Sequence, residues 1–493
     1  MHRIRPIVIA AIASLLLALN TAPALADDGV FDLVILDGRV MDPESGREAV
    51  LNVGIRDGRI AALTNTPLSG KRTLKAAGRL VTPGYIDLHT HTPFPFGELL
   101  QVKDGVTTAL DLEAGAFPPA AYGEFIRGHA RANYAASVGH YAIRMKVIDG
   151  MDQPYLLTRD GPMRPVDAFT KQATPTQIED MRRLLQQGLD EGGLGIGFLL
   201  DYMTEAVSDQ EMRMVFEVAA ANQTVVWTHI RRGINGDIQP LHDVLAMAEQ
   251  TGAKLHICHI NANAMGAIGE WLQAIDAANA RGANVSTEIF PFTAGSTSIS
   301  ADVFNRDWRT IFNIDYHDVQ WGPTGEFFTE ESWYRTRKEH PTSDVIHHYM
   351  KEEWIVEALK WPKMMLVTDA MPALNFDIKA VPNGAASFTR LMARHVRDNG
   401  VMDLMEGLRR TAYYPAERLA EFAPRFRNKG RIKVGADADL LVFKLENLRD
   451  NATYMDPYRE TSGYDWIIVG GEVVIAGGDP VGATPGQPVF NLP

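Results

Sequence analysis

A repeating unit in the middle of the chain limits what this sequence can fold into. Ser208 to Ala221 reads as a helix opened by a capping box of Ser208 and Glu211, and Val225 to His229 as a strand. Pro240 to Gln250 is helical again, Gly252 ends it, and Lys254 to His259 is a strand. Ala267 to Ala280 is a third helix, closed by Gly282 before a strand from Asn284 to Phe290. Glycine just past a helix takes the left-handed backbone that other residues avoid, and short continuous apolar runs suit strands buried on both faces. The unit returns about every 30 residues, the spacing of βα units on a parallel sheet. With 493 residues, there is room for one large barrel and a smaller unit. The expected fold class is therefore α/β: a (β/α)8 barrel over residues 83–425.

The two ends of the chain have a different rhythm. Phe31–Leu36 precedes Asp37-Gly38, and Val53–Arg56 precedes Asp57-Gly58. Near the other end, Ala438–Phe443 reads as a strand, and Trp466–Val469 meets Gly470-Gly471 before Val473–Ile475. Asp-Gly and Gly-Gly between apolar runs are hairpin signals. We expect one small β-sandwich built from both termini, residues 27–82 and 426–493. Residues 299–362 break the barrel rhythm. They are rich in Trp, Tyr, His and charge, without a clear strand, and are read as a lid inserted over the barrel mouth, with a surface decoration as the alternative.

Arg3 and Arg5, the apolar run Ile7–Leu19 and the small-residue site Ala24-Leu25-Ala26 form the pattern of a signal peptide, residues 1–26, cleaved after Ala26. The apolar run is too short to span a bilayer comfortably. The expectation is a periplasmic or secreted protein with no membrane span after cleavage. Its net charge of −13 opposes binding to nucleic acid or anionic lipid. The single cysteine, Cys258, rules out an internal disulfide. Oligomeric state is open.

The polar residues at the strand ends carry the chemistry. His89 and His91 follow the run Val81–Leu88, and on a strand residues two apart share a face, so both can reach one ion. Asp111 and Glu113 lie in another apolar strand, where carboxylates are costly unless paired or bound to metal. Glu113, nearer the end where barrel chemistry sits, is the chosen ligand, and Asp111 is a supporting carboxylate. His229 and His259 end successive strands. His256 and Cys258 have the opposite strand parity to His259 and are read as a structural histidine facing away and a packed thiol. Asp369 ends Met364–Thr368, where an aspartate can bind metal, shuttle a proton or cap the next turn; beside the other candidates it is read as a metal ligand and the natural general base. Together these residues suggest a one- or two-metal site: His89 and His91 on one ion, His229 and His259 on another, Glu113 bridging or supporting, Asp369 beside the water. Imidazole and carboxylate ligands suit Zn2+ or another divalent transition metal.

The ordered set TPGYIDLHTH, DGVTTALDLE, WTHIRRG, ICHIN, TEIFPFTAGST, VTDA and GADADLLVF resembles the amidohydrolase superfamily, most closely its N-acyl-D-amino-acid deacylases (D-aminoacylases). The resemblance covers the whole mature chain. It implies a metal-dependent barrel with a β-sandwich and a lid after the seventh strand. It also implies a hydrolase of a linear amide such as an N-acyl-D-amino acid, N-acyl-D-glutamate among them, with His89, His91, His229, His259 and Asp369 in the roles given above. The family's cysteine ligand is replaced near Glu113, its substrate-contacting lysine by Asn261, and its carbonyl-polarising tyrosine by Phe292. Arg231, Arg232 and Arg390 are candidates to hold a substrate carboxylate, with surface ion pairing as the alternative. Asn261 and Ser298 complete the substrate-contacting set. The competing readings are a dipeptidase or cyclic-amide hydrolase on the same site, and a non-catalytic binding protein on this scaffold.

Overall fold

The computed structural model describes residues 30–155, 166–376 and 380–492. The leader segment lies outside the described residues. Among the described residues, no helix is long and apolar enough to cross a membrane.

Eight strands form the barrel sheet: β1 Tyr85–Asp87, β2 Val106–Ala116, β3 Asn133–Gly139, β4 Ile196–Leu199, β5 Val225–His229, β6 Lys254–Ile257, β7 Val285–Ile289 and β8 Met365–Leu366. They pair in sequence order, all parallel. The sheet closes where β1 runs into β8. Asp369 N donates to His89 O and His91 N to Ala370 O, both at 2.8 Å. Helices Asp209–Ala221, Gln239–Thr251 and Ile268–Ala280 fall within a residue or so of the positions read from periodicity. Gly252 is left-handed at its helix end, with φ 74°.

Ser208 caps its helix by accepting from Glu211 N, but the reciprocal half of the expected box is missing. The Glu211 carboxylate turns into the core instead, paired with Arg144 and, at 2.9 Å, with His140. A fully buried arginine needs that charge more than the helix end needs a second cap.

A nine-stranded sheet joins the two chain ends, and Leu80–Pro83 pairs antiparallel with Leu440–Phe443. Leu33, Ile35, Val53, Ile55, Leu440, Val442 and Ile468 share its separate core. Asp57-Gly58 is the expected tight hairpin, both residues at positive φ. Asp37-Gly38 is not a turn: Phe31–Asp42 runs through it as one strand with a register shift between Ile35 and Gly38. Asp37 at φ 59° makes a bulge, which uses the same left-handed backbone as a turn.

The insertion also differs from the reading. Gly295–Ser298, Val319–Trp321 and Asp344–His347 form a three-stranded antiparallel sheet. It packs on its own aromatic core, including Phe304, Trp308, Phe312 and Trp333. Its strands are three or four residues long, too short to show a period of two. It lies between β7 and β8 and begins at about residue 295, slightly before the expected boundary.

Candidate metal centre

Six side chains converge where the barrel strands end. Glu113 lies at the centre. Its Oε1 is 2.9 Å from His229 Nδ1 and 2.8 Å from His259 Nε2. Its Oε2 is 3.2 Å from His89 Nε2 and 3.4 Å from His91 Nε2. One carboxylate thus faces two pairs of imidazoles, one pair on each oxygen. Asp369 Oδ1 approaches the first pair, 3.3 Å from His89 Nε2 and 3.7 Å from His91 Nε2.

Two of these residues pay for their position with backbone strain. His259 has φ 31° and Asp369 φ 50°, both left-handed, where a side chain is uncommon. For His259 this corrects the parity argument. The strand stops at Ile257, so alternation no longer applies at residues 258 and 259. His256 does not face away from the site. Its Nε2 is 3.0 Å from Glu288 Oε2, and Glu288 Oε1 takes the Nδ1 proton of His89 at 2.6 Å. Cys258 is buried beside His89 and Glu288.

Three of the four imidazoles, His89, His91 and His259, are hydrogen-bonded from behind. His91 Nδ1 donates to Asp111 Oδ2 at 3.0 Å, and Asp111 also accepts from Tyr155 and from the amides of Ala114 and Gly115. His259 Nδ1 pairs with Asn263 Oδ1 at 2.9 Å. Asp201 Oδ2 lies 3.7 Å from His229 Nε2. Asp87 ties the seam by accepting from His89 N and Thr368 N. Such partners fix ring orientation and tautomer. The sequence reading missed Glu288, Asp201, Asn263 and Asp87. For Glu288 and Asp87 a signal existed, the same charge in an apolar strand that singled out Asp111.

The electrostatics of the cluster favour a cation. Burial by itself drives protons off all four imidazoles. For His89, His91 and His229 the neighbouring carboxylates outweigh it, raising His91 to about 10. His259 stays below its ordinary value, through burial and its neighbour His229. Burial also opposes ionisation of Glu113, yet the surrounding imidazoles hold it well below the carboxylate range. Ring nitrogens face each other at 3.1 Å twice, His89 to His91 and His259 to His229. Nitrogen lone pairs converging on a buried carboxylate fit a shared metal ion, and the donor set suits zinc or a similar ion.

The cluster forms the floor of a cavity of about 260 Å³. The insertion forms much of its wall through Ser296, Ser298, Asp344, His347 and Tyr349. Ser298 lines it, with its hydroxyl donated to Pro341 O. The other three substrate-contacting candidates do not line it. Arg231 is spent on the carbonyls of Thr204 and Val207. Asn261 is fully buried and donates to Phe290 O. Arg390 bonds Pro291 O and Asp450, stacked on Phe292. The guanidinium in the wall belongs to Arg232, against Phe312 and Tyr349 and 3.4 Å from Asp201.

No protein-family model matches the sequence. It is 26% identical to N-acyl-D-glutamate deacylase of Alcaligenes xylosoxydans xylosoxydans, covering 91% of this chain and 94% of that one. It is 25% identical to D-aminoacylase of the same organism, over 91% of this chain and 95% of that one. The chain resembles the D-aminoacylase amidohydrolases. The fold of this D-aminoacylase-like chain matches that of Bordetella bronchiseptica N-acyl-D-glutamate deacylase, solved with zinc and a phosphonate inhibitor. The TM-score is 0.76 at 23% identity, covering 94% of this chain and all of that one.

Glu288→Gln removes the charge behind His89. Zinc affinity is expected to fall about 10- to 100-fold, read by chelator competition. Unchanged affinity would mean that Glu288 serves the barrel core alone.

Proposed function

We propose that this chain is an exported, zinc-dependent deacylase of N-acyl-D-amino acids. The observation that carries the reading is Glu113, which faces four imidazoles with one oxygen on each pair at the floor of the cavity. The family resemblance supports the reaction class, and the leader pattern supports export.

His89, His91, His229 and His259 would hold the metal, with Glu113 between the pairs. A divalent ion there would lower the pKa of a water and polarise the scissile carbonyl. The chain's own residues do the rest. Asp369, the most open of the six with a side chain 21% exposed, takes the proton of the attacking water on a carboxylate oxygen. It then returns the proton to the leaving nitrogen. Arg232 offers the cavity a guanidinium for the substrate carboxylate. The lid sheet keeps bulk water away from the reacting carbonyl.

The test is release of free amino acid from a chiral panel of N-acetyl amino acids by zinc-loaded protein, beside a hydantoin and a dipeptide panel. Turnover of D-enantiomers supports the reading. Turnover confined to hydantoins or dipeptides replaces it with the cyclic-amide or dipeptidase alternative, which the buried Asn261 and Phe292 favour.

A further inference from the structure

Besides the metal cluster, three ionised side chains line the cavity: Asp201, Arg232 and Asp344. The first two lie 3.4 Å apart as an ion pair. Asp201 also accepts from Arg306 at 2.6 Å and from the Arg232 amide at 2.9 Å. Asp344 differs. It opens the lid strand Asp344–His347, opposite Ser298 in register, and its carbonyl accepts from Gly322 N. That backbone is fixed, but among the described residues no cation pairs with its carboxylate. Burial alone acts on it and pushes the carboxyl up to about 6. Ser296, two residues before Ser298 on the facing strand, also lines the cavity, and its hydroxyl is buried without a partner.

An ionised carboxylate in a concave wall, lacking a counter-charge, costs free energy in the empty protein. A cationic ligand offsets that cost, and an anionic one adds to it. The wall therefore has two poles: a guanidinium at Arg232, and a carboxylate at Asp344 with an unused hydroxyl at Ser296.

We propose that Asp344 holds a cationic group of the substrate, so that this chain prefers N-acyl amino acids with basic side chains to neutral or acidic ones. The proposal rests on the deacylase reading above. It sets the substrate's α-carboxylate at Arg232 and its side-chain ammonium at Asp344. It also separates this chain from relatives named for acidic amino acids.

The experiment uses the zinc-loaded full chain with Nα-acetyl-D-lysine, Nα-acetyl-D-norleucine and N-acetyl-D-glutamate. These side chains are of broadly similar length and differ in charge. We expect kcat/KM for the lysine compound to exceed the norleucine value about 10- to 100-fold, with glutamate poorest. In Asp344→Asn the lysine-to-norleucine ratio falls towards one, and in Asp344→Lys the order of lysine and glutamate reverses. Calorimetric binding of the same three compounds reads the wall independently of cleavage. Binding that prefers lysine without turnover overturns the deacylase reading and leaves Asp344 its role. Equal binding of all three, or a lysine preference that survives both substitutions, overturns the role of Asp344.

Discussion

Replacing Asp369 with asparagine is expected to lower kcat about 10²- to 10⁴-fold, the usual contribution of a positioned general base, while bound zinc stays near the wild-type amount. Asparagine keeps the shape and one acceptor oxygen of aspartate but cannot take a proton at neutral pH. Of the six converging side chains, Asp369 is the one suited to proton exchange. Glu113 is enclosed by four imidazoles, whereas Asp369 has a side chain 21% exposed and touches the first pair through Oδ1 alone. Its strained backbone, φ 50°, is held by its amide's bond to His89 O, so the carboxylate moves with the first histidine pair. The measurements are kcat on the best panel substrate and zinc per chain by elemental analysis. A kcat within a few-fold of wild type would mean that the water proton leaves by another group. A loss of zinc matching the loss of rate would make Asp369 chiefly a ligand.

Much of this site was readable because barrel chemistry concentrates at strand ends. His229 ends β5 in both sequence and structure. His89, His91 and Glu113 stand out as polar residues closing apolar runs. Long-range partners were harder to read. Asp201 approaches His229 from the short 3-10 helix that follows β4, and no local pattern announces such a contact. Arg231 and Arg232 are adjacent and chemically identical in sequence. One is consumed by the carbonyls of Thr204 and Val207, and the other reaches the cavity wall. Only the packing of the loop after β5 separates them. Asn261 stands at the family's substrate-contacting lysine and Arg390 was a guanidinium candidate, yet here both are spent on backbone carbonyls. The lid strands were missed because Gly295–Ser298 and Asp344–His347 start 49 residues apart (344 − 295) and become neighbours only once the lid folds on its aromatic core.

Glu113→Gln should have the largest effect on the metal. The change is isosteric, so packing is kept while the charge between the imidazole pairs is lost. In the wild type burial opposes protonation of His89 and His229, and that charge, together with the other carboxylates nearby, raises their proton affinity against it. The same pull acts on a dication. Without it, four rings meet nitrogen to nitrogen, at 3.1 Å within each pair, around a neutral amide whose NH2 group can only donate. Zinc binding to the folded chain stabilises it by about 4 kcal/mol at a thousand times the dissociation constant, and by almost nothing at or below it. A loss of affinity of about 100-fold or more therefore appears as a smaller zinc-dependent rise in Tm, alongside less zinc per chain. If Glu113→Gln keeps both the full thermal shift and the full zinc content, the histidines bind metal without a bridge. The two-pair arrangement would then be a consequence of barrel packing and not of shared ligation.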